Sequence, residues 1–333
     1  MQFAKLLINW HDSYGRHNLP WQQSNDPYKI WISEIMLQQT QVKTVIPYYI
    51  RFITNFPNIT SLALAAESEL MEYWSGLGYY SRARNLHRCA KIMHEKYQAR
   101  VPDTFEALIS LPGIGFSTAN AILSQAFNQK APVVDGNVKR VISRIYAIKE
   151  PVEQSKGKKI IEQIALENMP DENTRQYTQA IMDLGATVCR KVPECSHCPF
   201  NDHCAAKSQG LIHVLPILKK PTPTKKVTMH FHVFRNENKQ YALRWRDQSI
   251  WKSLLCFPDM PESGSTPHQL QQRHILTHRE LNITYNVMPD APQGIDQWLT
   301  KSEIISSAIP QAIRKIIEKI DQSIEQSLIG DNQ

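Results

Sequence analysis

The residues of this sequence with chemical reach are two carboxylates, four clustered cysteines and a turn bearing two glycines. Glu34 lies in the string Tyr28-Lys-Ile-Trp-Ile-Ser-Glu-Ile-Met-Leu-Gln-Gln39. At helical spacing its neighbours are Ile30 and Trp31 on one side and Leu37 and Gln38 on the other. A carboxyl on that mostly apolar face is desolvated and holds its proton more tightly, which suits a general acid at neutral pH. A lone Glu on such a helix is otherwise an ordinary surface residue. Asp135, in Val133-Val-Asp-Gly-Asn-Val138, precedes an apolar-periodic segment of Val138, Val141, Ile142 and Ile145. That is an N-cap position, where helix N–H groups and the dipole are expected to keep a carboxylate ionised. A protonated acid and an ionised carboxylate form the pair required to break a glycosidic bond. Spacing alone does not bring these two together.

The cysteines Cys189, Cys195, Cys198 and Cys204 have the spacing C-x5-C-x2-C-x5-C. Crowding of this kind differs from the spread of cysteines in a small disulfide framework and points to a metal site in a reducing compartment. A [4Fe–4S] cluster takes four thiolates. Structural zinc also takes four, with His197 or His203 as possible substitutes, but zinc sites usually pair two C-x2-C knuckles, and only one is present.

The turn is Leu111-Pro112-Gly113-Ile114-Gly115, with Phe105 and Leu108 leading in and Ala119, Ile122 and Leu123 leading out. Gly113 and Gly115 permit positive φ and close backbone approach. The second helix would begin with outward N–H groups, a seat for phosphate that fixes the register of a nucleic-acid backbone without reading its sequence. A tight turn between packed helices is the plain alternative.

These groups need elements to hold them. Residues 1–212 read as helices: Phe3, Leu6, Leu7 and Trp10 recur at helical spacing, as do Leu70, Trp74 and Leu77, and later Ile160, Ile161 and Ile164. Residues 213–226 read as a linker, rich in Pro, Lys and Thr from Pro216 to Lys226. Residues 227–325 read as a smaller α+β domain. Strands are expected at Val227–Arg235 and Gln240–Arg246, paired as a hairpin through 236–239, and at Asn282–Val287. Ile309, Ile313, Ile316, Ile317 and Ile320 then form one helical stripe. With 333 residues, 42% hydrophobic, the chain is long enough for two cores. Its net charge of +7 favours a polyanionic partner, nucleic acid first. No apolar run is long enough for a membrane span, and the N-terminus lacks the pattern of a secretory leader, so a cytoplasmic location is expected.

Taken together, the motifs resemble a known family. The string Trp31-Ile-Ser-Glu-Ile-Met-Leu-Gln-Gln-Thr-Gln-Val42 and the string Gly76-Leu-Gly-Tyr-Tyr-Ser-Arg-Ala-Arg-Asn-Leu86 resemble the MutY-type adenine DNA glycosylases, within the helix–hairpin–helix superfamily that also contains endonuclease III. Leu111–Gly115, Val134-Asp-Gly-Asn-Val-Lys-Arg140, Met182-Asp-Leu-Gly-Ala186 and the cysteines extend the match over nearly the full length. The resemblance implies an all-α glycosylase domain with a [4Fe–4S] loop at 189–204, then a Nudix-like lesion-recognition domain. It implies that Glu34 protonates adenine at N7 and later helps activate water, and that Asp135 stabilises an oxocarbenium-like sugar. The adenine would be flipped from a duplex in which it faces 8-oxoguanine or guanine. Leu37, Gln39 and Tyr79 fall where the family inserts side chains into DNA. Gly113, Gly115 and Ser117 fall at the backbone-binding hairpin. A monomer associated with the nucleoid is the implied state.

Departures from the family pattern carry information. Ser117 stands where the lyase branch has a lysine nucleophile, so Schiff-base chemistry is not expected and the activity should be monofunctional. In the second domain Leu276-Thr277-His278 stands where the family has Phe-Ser-His, keeping a hydroxyl and an imidazole to contact the lesion while losing the ring. No acidic Nudix signature is present. Five residues rather than the family's six separate the first two cysteines, and Phe116 follows the hairpin glycines where arginine is common. The competing readings are an endonuclease III-like glycosylase and AP lyase, and a non-catalytic DNA-binding iron–sulfur protein.

Overall fold

A computed structural model describes residues 2–218, 224–247, 250–259, 270–276, 279–288 and 294–330. The chain divides into two compact units. One comprises residues 1–64 and 84–221, the other 65–83 and 222–333. Nineteen residues of the helical stretch thus group with the C-terminal sequence, an exchange that hydrophobic periodicity cannot reveal because it is a matter of long-range packing.

The first unit is helical among its described residues. The Pro27–Leu37 helix starts where Asp26 accepts a hydrogen bond from the Tyr28 N–H at 2.9 Å, with Pro27 in the first turn, where its missing donor is harmless. Ile30, Trp31, Ile32, Ser33, Ile35 and Met36 are all buried, so the helix is a core element with very little solvent face. The Gly136–Ile145 helix buries Val138, Val141, Ile142 and Ile145 against Phe3, Leu7 and Trp10 from the N-terminal helix and Tyr177, Ile181 and Leu184 further on. The 3.6-residue periodicity of the sequence therefore faces a real core. The expected linker is partly fixed: the Val152 N–H donates to the Ile217 carbonyl at 3.0 Å, and Arg144 Nε donates to the Leu215 carbonyl at 3.0 Å. Its last two residues, Lys225 and Lys226, already belong to a strand.

Among the described residues the second unit has six strands: β1 Lys225–Phe234, β2 Tyr241–Trp245, β3 Leu255–Cys256, β4 Leu270–Leu276, β5 Arg279–Met288 and β6 Gln297–Leu299. They form two sheets, ordered β1-β5-β4 and β3-β2-β6. β1 runs parallel to β5, and β4 antiparallel to it. Met229, Phe231 and Val233 from β1 and Leu281, Ile283 and Tyr285 from β5 point to one buried face, as period-two alternation requires. The Ile313, Ile316, Ile317 and Ile320 stripe of the Gln311–Gly330 helix joins the same core. The expected β1–β2 hairpin is corrected here. The turn exists, with the Asn236 N–H donating to the Gln240 carbonyl at 3.0 Å and a single bridge between Arg235 and Tyr241. The two strands then diverge into different sheets, because β1 finds its full partner in β5. No helix among the described residues is long and apolar enough to cross a membrane.

Candidate active site

Glu34 and Asp135, far apart in the chain, line one open cleft of about 680 Å³. Leu37, Gln38, Ser117, Thr118, Asn137 and Gln179 also line it. Glu34 Oε1 accepts a hydrogen bond from Gln125 Nε2 at 2.8 Å. Burial pushes the Glu34 pKa up to about 7; the Gln125 bond opposes the rise and the nearby Asp135 charge adds to it. Near neutral pH the Glu34 carboxyl thus lies close to its midpoint rather than fully ionised.

Asp135 caps the Gly136–Ile145 helix, its Oδ1 accepting from the Val138 N–H at 2.8 Å, while Oδ2 accepts from Asn137 Nδ2 at 3.2 Å. Its charge state is less simple than an N-cap implies. Burial raises its pKa, against the hydrogen bonds from Val138 and Asn137 and the positive charge of Arg140. The donors are nevertheless unevenly divided. Asp135 has backbone and side-chain donors with a guanidinium beyond, whereas Glu34 has the single Gln125 amide. The surroundings of Asp135 therefore favour its ionised form more than the single amide favours that of Glu34.

Several residues that sequence reasoning did not single out hold this arrangement. Gln125 comes from the second hairpin helix, Phe116–Ala126. Gln38 ties the end of the Glu34 helix to the hairpin by donating to the Gly113 carbonyl at 3.3 Å and to Thr118 Oγ1 at 3.1 Å. Arg140 Nη2 donates to Asn137 Oδ1 and to the Gly185 carbonyl, each at 2.7 Å, and so orients the amide that faces Asp135. A Cβ at Gly185 would stand 2.6 Å from Asn137 Cβ, so glycine is needed for that close approach. Fully buried Asp183 accepts from the Arg16 N–H at 2.8 Å and from Arg16 Nε at 3.0 Å. Burial works against its ionisation, and the His11 and Arg16 donors outweigh that, leaving its carboxyl below the usual range.

The two glycines of the hairpin behave differently. Gly113 has φ +85°, and a Cβ there would meet Asn85 Cβ at 2.8 Å. Gly115 has φ −97°, an extended value open to any residue, and a Cβ there would meet nothing within 4 Å. The expectation of a special backbone conformation holds for Gly113 and is corrected for Gly115, whose outer side is open. Gln39 and Tyr79 are exposed and both carry left-handed backbone, with φ 59° and 52°, a conformation costing about 1 kcal/mol or more without glycine. Tyr79 lies in the second unit. Thr277 and His278 lie outside the described residues; Leu276 and Arg279 on either side of them are paired across β4 and β5.

Cys189, Cys195, Cys198 and Cys204 line a single cavity together with Val141, Arg144, Ile145, Leu184 and Val188. Arg144 Nη1 donates to Cys189 Sγ at 3.5 Å and to the Arg190 carbonyl at 2.6 Å. Among the described residues no group of three or more His, Cys, Asp or Glu is close enough together to hold a metal ion as it stands. Four cysteine sulfurs lining one space, with an arginine against one of them, are a donor set suited to a thiolate-bound metal group.

A helical unit with a glycine-bearing hairpin and two carboxyls in its cleft has the architecture of the helix–hairpin–helix class. Residues 32–171 match the family described as "HhH-GPD superfamily base excision DNA repair protein". The adenine DNA glycosylase of Buchnera aphidicola subsp. Acyrthosiphon pisum is 42% identical over 276 residues, covering 82% of this chain and 78% of that protein. The human adenine DNA glycosylase is 39% identical over 217 residues, covering 62% of this chain and 40% of that protein. Among solved structures, a thermostable thymine-DNA glycosylase superposes with a TM-score of 0.58 and 27% identity over 62% of this chain and 95% of its own. An endonuclease III–DNA complex, at TM-score 0.54 and 22% identity, shares the fold over 63% of this chain and 97% of its own. The chain belongs to the adenine DNA glycosylase family and is a glycosylase of base-excision repair.

Proposed function

We propose that this protein is a monofunctional glycosylase that removes adenine from double-stranded DNA where it faces 8-oxoguanine or guanine. The observation that carries the reading is the Glu34 carboxyl, its pKa pushed up to about 7 in the same cleft as a helix-capping carboxylate. Glu34 donates its proton to N7 of a flipped adenine. The C1′–N9 bond breaks, its electron pair leaves with the neutral base, and positive charge develops on the sugar. Asp135, supplied with N–H donors by Val138 and Asn137, offers the negative charge that this cation needs. Ionised Glu34 then takes a proton from the water that attacks C1′. Leu37 in the cleft, with Gln39 and Tyr79 on left-handed backbone, would fill the space vacated in the duplex. Gly113, Gly115 and Ser117 would seat the phosphate backbone.

Ser117 lines the cleft with a hydroxyl, which cannot form a Schiff base, so the lyase alternative lacks a nucleophile at that position. Cys189, Cys195, Cys198 and Cys204 would hold a [4Fe–4S] cluster, which when bound cross-links the 189–204 loop to the helical core. Thr277 and His278 would contact the lesion, and residues 227–325 would serve as a Nudix-like reading domain. We assign the protein, as a monomer, to the cytoplasm at the nucleoid.

The test is a single-turnover assay on duplexes carrying adenine opposite 8-oxoguanine, guanine or thymine, with products read before and after alkali. Release at the two mispairs, with strand breaks only after alkali, is expected. Breaks without alkali would establish the lyase, and binding without release would establish the non-catalytic alternative.

A further inference from the structure

The turn that carries Tyr79 belongs to the C-terminal unit, and a compact set of contacts shows how it is held. Buried Ser75 donates through Oγ to the Ser307 carbonyl at 2.6 Å. Arg314, from the Gln311–Gly330 helix, donates through Nη2 to Ser75 Oγ at 2.7 Å and to the same Ser307 carbonyl at 2.9 Å. Tyr80 donates its hydroxyl to the Ile309 carbonyl at 3.3 Å. Ala308, Ile309, Ala312 and Ile313 are all buried, so this side of the contact is anchored in the β-sheet core.

On the turn itself, Trp74 Nε1 donates to the Gly78 carbonyl at 3.0 Å, and buried Arg82 Nη2 donates to that carbonyl at 3.3 Å. The Arg82 guanidinium lies over both the Trp74 ring, at 5.4 Å, and the Tyr79 ring, at 5.1 Å. Tyr79 is 43% exposed at φ 52°. A non-glycine residue keeps such a backbone only where its surroundings over-determine it. Here the surroundings include two arginines, Arg82 against the Gly78 carbonyl and the Tyr79 ring and Arg314 against Ser75.

We infer that Ser75 and Arg314 are positioning residues, through which the C-terminal helix sets the conformation of the 75–80 turn and hence the presentation of Tyr79 to DNA. The C-terminal unit on this account contributes to mispair discrimination by holding Tyr79, in addition to any contact of its own with the lesion. The inference rests on the proposed DNA-inserting role of Tyr79.

The experiment uses the full chain and the variants Ser75→Ala, Arg314→Ala, Arg314→Lys, Tyr79→Ala and the Tyr79→Ala/Arg314→Ala double variant. Two readouts are taken at saturating protein: the single-turnover rates for adenine opposite 8-oxoguanine and opposite guanine, and the fluorescence of 2-aminopurine placed beside the mispair, which reports side-chain insertion. A fold lost outright would lower the helical circular dichroism, and Ser75→Ala removes one hydroxyl without that risk. We expect Arg314→Ala and Ser75→Ala to slow excision opposite guanine roughly tenfold, the effect of losing one or two hydrogen bonds. The 2-aminopurine signal should fall, and Arg314→Lys should be partly rescued. In the Tyr79→Ala background Arg314→Ala should add little, as coupled residues require. Additive losses, or an unchanged fluorescence signal in Arg314→Ala, would overturn the inference and leave the role of Tyr79 intact. An unaffected Tyr79→Ala enzyme would remove that role, and the inference with it.

Discussion

Glu34→Gln separates catalysis from stability, and the two should move in opposite directions. In the folded chain the Glu34 carboxyl is pushed from 4.5 up to about 7, chiefly by burial. At about 1.4 kcal/mol for each tenfold in proton affinity, that displacement is worth roughly 3 kcal/mol. The sign follows from proton linkage. A carboxyl whose folded pKa is raised makes the native state bind the proton more tightly than the unfolded state does. Below about 4.5 both states are protonated and Glu34 costs nothing. Between 4.5 and about 7 the unfolded state ionises first and stability falls. Above about 7 the penalty is fully present. Gln is neutral at every pH and nearly the same size, and its amide oxygen can still accept from Gln125 Nε2. Glu34→Gln should therefore be more stable than the parent at pH 8 by up to roughly 3 kcal/mol, with the difference vanishing towards pH 4. Urea unfolding monitored by circular dichroism at pH 5, 6, 7 and 8 measures it. The same variant should release no adenine, because an amide cannot donate the proton. In the parent, the single-turnover rate should fall as pH rises through about 7, where Glu34 loses that proton. A variant that is less stable than the parent at pH 8, or one that keeps full activity, refutes the reasoning.

Asp135→Asn should fold, because Asn is a competent N-cap for the Val138 N–H, with a stability change within about 1 kcal/mol in thermal melts. Its excision rate should fall by roughly two to three orders of magnitude, the size of effect seen when one electrostatic partner of a transition state is lost; near-parent rates would remove Asp135 from the mechanism. Gly185→Ala places a methyl 2.6 Å from Asn137 Cβ, so it should cost about 1–3 kcal/mol of stability and lower the excision rate as Asn137 is pushed off Asp135. A neutral result in both assays would show that the loop simply gives way. Cys198→Ser should yield protein with less iron and less acid-labile sulfide and a lower melting midpoint, and unchanged iron with an unchanged melt would exclude Cys198 as a ligand.

What the sequence made legible depended on how local each cause was. The desolvation of Glu34 could be anticipated because Ile30 and Trp31 lie on its own helix, although the almost complete burial of that helix could not. The cap at Asp135 is equally local, whereas its burial comes from the surrounding fold, so the upward displacement of its pKa was hidden. Gln125 reaches Glu34 across ninety-one positions with no periodic signal to announce it. In the second unit the alternation of Met229, Phe231 and Val233 identified a strand, and the turn at 236–239 was real. A turn suggests the nearest partner, but β1 gains a full ladder from β5, fifty-four positions away at His230 and Thr284, and only one bridge from its neighbour. The grouping of 65–83 with the C-terminal sequence had no local signature at all.

The Gly136–Ile145 helix explains why a carboxylate and a cysteine cavity with no chemistry in common are built from the same stretch of chain. Asp135 caps its first turn, while Val141, Arg144 and Ile145 from its second half line the cavity. Arg140 sits between them. Its Nε donates to the Cys189 carbonyl at 2.7 Å, and its Nη2 holds the Asn137 amide that faces Asp135. A guanidinium is a rigid planar fork, so fixing one edge fixes the other. Cys189 opens the 189–204 loop, and the next two carbonyls, of Arg190 and Lys191, accept from Arg144. The first cysteine of the loop and the Asp135 carboxylate are thus two ends of one hydrogen-bonded path, through Arg140 and Asn137.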